Sequence, residues 1–149
     1  MYFLKSFKLL LLLLLFSNCN NFWNTYPWFN GDYELAKSVS GNKLIMLDFY
    51  ADWWVGCKRL DAEVFSDSRL IELSKDFISL KLDISIEKNN DLSNTFNVLT
   101  IPQNIFVDSN GNEVGRIEGF LPADIFINQL RTILDNNKWL VWNIEVNKI

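Results

Sequence analysis

Histidine is absent from all 149 residues. This excludes imidazole acid–base catalysis and His-ligated metal sites. Cysteine occurs only twice, at Cys19 and Cys57. Two sulfurs with scattered carboxylates lack the ligand spacing of a metal centre, so no metal is expected. Basic residues are outnumbered, 14 against 18 acidic, for a net charge of −4, and they form no cluster or stripe. Nucleic acid is therefore not an expected partner. No nucleotide-binding loop is visible, and no cofactor is expected. No apolar run approaches the ~20 residues that span a bilayer; Leu9–Leu15 with Phe16 is far shorter.

Apolar residues make up 49% of the chain and aromatics 15%, enough for the core of one ordinary domain. Residues 1–18 read as a signal segment, with Lys5 and Lys8 ahead of the leucine run. The stretch Leu15-Phe16-Ser17-Asn18-Cys19 resembles a bacterial lipoprotein signal, with Asn18 where Gly, Ala or Ser is usual. That resemblance implies acylation of Cys19, export to the cell envelope and a membrane anchor on the periplasmic side. Residues 19–32, rich in Asn and aromatics, read as a tether whose Trp28 and Phe29 pack on the domain.

Residues 33–135 carry the regular pattern. Tyr33–Val39 is predicted helical, stopping near Ser40-Gly41-Asn42. Lys43–Tyr50 is a continuous apolar run, as in a strand covered on both faces. Helices are predicted over Val55–Val64, Arg69–Lys75 (behind a Ser66-Asp67-Ser68 cap) and Asn89–Phe96, with a strand over Phe77–Ile84. Gln103–Val107 and Glu113–Ile117 flank a segment containing Asn110-Gly111, which predicts an antiparallel hairpin. A last helix from Pro122 to about Leu134 carries an apolar stripe of Ile125, Phe126, Leu130, Ile133 and Leu134. Residues 136–149 form an extension, either more helix or an added strand.

The most informative run is Leu44-Ile45-Met46-Leu47-Asp48-Phe49-Tyr50-Ala51-Asp52-Trp53-Trp54-Val55-Gly56-Cys57-Lys58. It reads as a buried strand, a sharp turn and the start of a helix. It resembles the active-site segment of the thioredoxin-like family, a strand with one Asp followed by Trp-Cys-x-x-Cys-Lys. Together with Val64-Phe65-Ser66-Asp67, it most resembles exported or membrane-tethered members such as the C-terminal domain of the bacterial transmembrane thiol:disulfide interchange protein. The resemblance implies an α/β fold with a central mixed sheet of about four strands flanked by helices. Trp54 departs from the family pattern, standing where the first, attacking cysteine belongs.

The resemblance also implies roles. Cys57 matches the second cysteine, and Asp48 the acid beneath it that assists proton transfer. Ile101-Pro102 matches the cis-proline loop, whose backbone pairs with extended peptides. Trp53 matches the tryptophan that shields the site, Trp54 adds a second indole, and Gly119 matches a glycine on the docking surface. From the residues alone, other readings stand beside these. Cys57 could be a reactive monothiol or a small buried apolar residue. Asp48 could pair with Lys58 or Lys81. One indole could fold into the core while the other caps the helix.

Two functions follow. In one, this is an envelope protein of the thiol–disulfide interchange type, limited to monothiol chemistry through Cys57. In the other, it is a redox-inactive peptide-binding or scaffold lipoprotein. Expected partners are cysteine-containing or extended protein segments, another envelope oxidoreductase, and the membrane through the lipid anchor.

Overall fold

The computed structural model of the chain describes residues 25–146. The signal segment, residues 19–24 of the tether with Cys19, and residues 147–149 lie outside the described residues. Strand β1, Leu44–Tyr50, is buried along its whole length except at Tyr50, as its unbroken apolar run requires. It pairs in parallel with β2, Phe77–Asp83, and antiparallel with β3, Gln103–Val107. Strand β4, Glu113–Glu118, closes the hairpin with β3. The sheet order is β2-β1-β3-β4.

Helix α1, Tyr33–Ser40, starts where the Asp32 carboxylate accepts the Leu35 N–H at 2.8 Å. It ends at Gly41, whose φ of +58° suits a residue without Cβ. Helix α2, Val55–Glu63, follows β1 directly. Helix α3, Ser68–Leu73, is capped by Asp67, which accepts the Arg69 N–H at 2.8 Å. Helix α4, Asn90–Thr95, precedes the proline loop. Helix α5, Ala123–Val146, makes residues 136–146 a helical extension rather than a strand. Among the described residues, no helix is long and apolar enough to cross a membrane.

The alternating faces of the sheet bury two cores. Leu44, Met46, Phe106 and Ile117 pack with Leu60, Val64, Phe126 and Leu130 on the side of α2 and α5. Ile45, Leu47, Phe49, Leu80 and Ile105 pack with Ala36 and Phe96 on the side of α1 and α4. On α5 the buried stripe is Phe126, Ile127, Leu130 and Leu134. Ile125, assigned to that stripe from sequence, is instead 48% exposed. The helix is turned so that the adjacent Ile127 fills the core.

The Asn-Gly hairpin forms through the Asp108 carboxylate. It accepts the Asn110 and Asn112 N–H groups and the Asn112 side-chain amide, each at 2.9 Å. Trp28 does pack on the domain. Its ring lies 4.8 Å from Phe65 and 4.5 Å from Tyr26. Tyr26 is buried more deeply still, with its hydroxyl 2.9 Å from Ser79 Oγ.

Candidate active site at the N-terminus of helix α2

The chain leaves β1 through buried Ala51 and turns at Asp52 and Trp53 into α2. Trp54 is the N-cap, with extended φ/ψ and no side-chain cap bond. An indole has no acceptor for the free N–H groups of the first turn, which Ser, Thr, Asp or Asn would supply. Trp54 N–H donates to Ala51 O at 3.1 Å, closing the turn. The two indoles meet edge to face, with centroids 5.9 Å apart at 82°. Trp53 is 68% exposed and Trp54 43%, with Val55 exposed beside them. Neither indole is in the core, so the alternative of one buried ring does not hold. Trp53 Nε1 donates to Ser85 Oγ at 3.3 Å.

Cys57 lies in the first turn of α2 and is 2% exposed. Burial pushes its thiol pKa up, and the Asp48 and Asp61 carboxylates push it further. A hydrogen bond from the Ala51 backbone and the charge of Lys81 act the other way, without reversing the shift. Held above its ordinary value, the sulfur keeps its proton at neutral pH.

Asp48 sits on the same side of the sheet as α2, 1% exposed, and burial raises its carboxyl to about 7. The lysine pairing considered from sequence does not form. Lys81 is the register partner of Asp48 on β2, yet its ammonium donates to Asp61 on α2. Its charge also faces the rings of Tyr50 at 4.6 Å and Trp28 at 4.9 Å. Lys58 is exposed, and Asp48 Oδ1 has no hydrogen-bond partner among the described residues.

The Ile101–Pro102 peptide bond is cis, as the resemblance implied. Gly119 N–H donates to Pro102 O at 2.8 Å, and Gly119 takes a φ of +72° with open space where a Cβ would lie. Glycine is thus needed there for its backbone angle, and the surface above it is free. Gln103 Nε2 donates to Glu118 at 2.8 Å, tying the loop to β4. A cavity of about 200 Å³ adjoins the loop, lined by Ile84, Val98, Leu99 and Ile101 with Asn90, Ser93 and Thr100.

Trp53, Trp54, Cys57, Asp48, Ile101, Pro102 and Gly119 thus all lie around the turn that joins β1 to α2 and the loop that faces it. Sequence reasoning missed three contributors. Gly56 lies between the Trp54 indole and Pro102; a Cβ there would stand 3.0 Å from Trp54 Nε1 and 3.2 Å from Pro102 Cδ. Its place inside the turn motif was the available signal. Asp61 stands one helical turn after Cys57, the spacing that puts two side chains on one face. Asn104 gave no signal, because its neighbour on β1 is far away in sequence.

Residues 32–134 match the thioredoxin-like domain family, and the chain belongs to it. It is similar to the thiol:disulfide interchange protein DsbD of Campylobacter jejuni, 38% identical over 110 residues, 71% of this chain and 19% of that protein. The DsbD of Actinobacillus pleuropneumoniae is 35% identical over 100 residues, 64% of this chain and 17% of the relative. The chain thus spans under a fifth of the length of these relatives. Among solved structures, a thioredoxin from Thermus thermophilus superposes with a TM-score of 0.63 at 23% identity, covering 73% of this chain and 87% of that one. The oxidised DsbD C-terminal domain of Neisseria meningitidis gives 0.55 at 24% identity, covering 66% and 87%. At such identities the structures show the fold alone.

Proposed function

We propose that this chain is an envelope protein of the thiol–disulfide interchange type that docks extended, cysteine-containing segments of other proteins without two-thiol turnover. The observation that carries this is the pair of positions one turn apart at the start of α2. Trp54 stands where an attacking sulfur would be, and Cys57 is a buried, protonated thiol.

Dithiol exchange needs an exposed thiolate to attack a disulfide and a second sulfur to displace the product. No indole performs that attack, so the two-electron cycle is closed to this site. Two features support docking. The Ile101–Pro102 loop offers backbone to an extended chain, and Trp53, Trp54 and Val55 offer an exposed apolar surface beside it. The lipoprotein-type segment ending at Cys19 supports a membrane-anchored location on the periplasmic side. Partners of this kind include a second envelope oxidoreductase.

A second reading is favoured by the Asp48 midpoint near 7, which leaves a fraction of carboxylate at neutral pH to accept the Cys57 proton. The Cys57 thiolate would then attack a partner disulfide, forming a mixed disulfide and releasing the other sulfur as a thiol. An external thiol would have to resolve it.

Binding of carboxymethylated ribonuclease A, an unfolded chain without free thiols, separates the two. Docking is expected to change the tryptophan fluorescence, to weaken in Trp53→Ala and to persist in Cys57→Ser. Binding that disappears in Cys57→Ser, or no binding by the wild type, would overturn the docking reading.

A further inference from the structure

The row of side chains across the sheet beneath α2 runs Lys81, Asp48, Asn104 and Ile117, one from each strand, in direct register. Ile117 belongs to the apolar core on that side. Asn104 is different: it is a carboxamide at 0% exposure, and neither its Nδ2 nor its Oδ1 has a hydrogen-bond partner among the described residues. Directly opposite stands Asp48, equally buried, with Oδ1 also unpartnered. Three orphaned polar atoms therefore lie on two side chains that share one face of adjacent strands. Directly opposed residues of an antiparallel pair have Cβ atoms about 4.5–5.5 Å apart, within reach of each other by rotation of short side chains. A buried amide left unpaired costs about 1–3 kcal/mol, so the two groups have a strong reason to meet.

We propose that Asn104 is the positioning residue for Asp48, its carboxamide serving the buried carboxyl across the β1–β3 ladder, directly or through one shared water. A carboxamide has both donor and acceptor, so Nδ2–H serves the carboxylate and Oδ1 receives the acid's proton. It is the one neutral side chain in the row that accommodates both charge states of Asp48. Lys81 cannot take this part, since its ammonium has no acceptor and is engaged by Asp61. The bond to the carboxylate is charge-assisted and the stronger of the two. Asn104 therefore holds the proton affinity of Asp48 below what burial alone would give. The other groups whose charge bears on Asp48 are Lys81 from β2, Asp61 and Cys57 from α2, Tyr50 from β1 and Tyr26 from the N-terminal segment. None of these is altered by substitution at Asn104. The inference concerns the acid beneath Cys57 and stands apart from peptide docking.

The test is the carboxyl ¹³C titration of Asp48 in the full chain. Asn104→Leu keeps the volume and removes the amide. It is expected to move the Asp48 midpoint upward by about one unit, the size of one charge-assisted hydrogen bond. Asn104→Asp places a second acid opposite and is expected to split the titration into two coupled steps. In the wild type, the Asn104 side-chain amide resonances are expected to shift with the Asp48 midpoint, a readout that needs no variant. An Asp48 midpoint unchanged or lowered in Asn104→Leu, a single unshifted step in Asn104→Asp, or an Asn104 amide indifferent to pH would each overturn the assignment.

Discussion

Lys81 donates to Asp61, although Asp48 is its direct register partner on the neighbouring strand. The helix carboxylate draws the ammonium outward, between the Tyr50 and Trp28 rings, and leaves the strand carboxyl behind in the interior. This one choice of partner explains why Asp48 is raised to about 7 instead of being held low by a salt bridge. The negative charges beneath α2 add to burial in pushing the Cys57 thiol up. Replacing Asp61 by Asn should release Lys81 toward Asp48. The Asp48 midpoint is expected to fall below 7 in a carboxyl titration, and the Cys57 midpoint to fall with it. An Asp48 midpoint that stays in place would show that Lys81 does not control it.

Asp48 makes stability depend on pH in the direction opposite to a salt-bridged acid. Its carboxyl is raised from 3.8 to about 7, so between those values the folded chain holds more protons than the unfolded chain. Its contribution is most favourable below 3.8, is lost as pH rises through that window, and is level above 7. Asp48→Asn removes the buried charge at nearly constant shape. The variant is expected to gain up to about 4 kcal/mol at pH 8 and little near pH 4, measured by urea unfolding. Equal effects at both pH values would contradict the raised midpoint.

Cys57 should behave as a hidden thiol. A thiol-directed reagent is expected to label it slowly in the native chain at pH 7 and quickly after denaturation, since the residue is buried and protonated. Asp48→Asn removes a charge that raises the thiol, so labelling above pH 7 should hold steady or quicken. Slower labelling in that variant would instead identify Asp48 as the base of a working monothiol.

The folded unit takes in residues ahead of the family match. Tyr26 and Trp28 pack against Phe65 at 4.7 and 4.8 Å, and the Tyr26 hydroxyl is paired with Ser79. Tyr26→Phe is expected to cost about 1 kcal/mol in denaturant unfolding, and Tyr26→Ala about 3–5 kcal/mol. A neutral Tyr26→Ala would mean that the segment is a tether up to α1.

Much of this architecture was legible in the chain. The apolar run Leu44–Tyr50 announced a strand covered on both faces, Ser66-Asp67-Ser68 a helix start, and Asn110-Gly111 a hairpin. The motif resemblance carried the cis Ile101–Pro102 bond, which local sequence could not distinguish from trans. The pairings were not legible. Asn104 stands opposite Asp48 because the sheet order sets β3 beside β1, and Tyr26 meets Ser79 because the N-terminal segment folds back onto β2. Asp61 competes with Asp48 for Lys81 because helix α2 lies across the strand, a matter of packing rather than spacing. The placement of Ile127 rather than Ile125 in the core likewise depends on how α5 is rotated against β4.

Catalysed reduction of insulin disulfides with dithiothreitol as the electron source tests the central claim most directly, comparing the wild type with Trp54→Cys. The wild type is expected to remain at the uncatalysed rate, while Trp54→Cys turns over and loses that activity when Cys57→Ser is added. Turnover already present in the wild type, and abolished by Cys57→Ser alone, would contradict the claim and make Cys57 the working group of an enzyme.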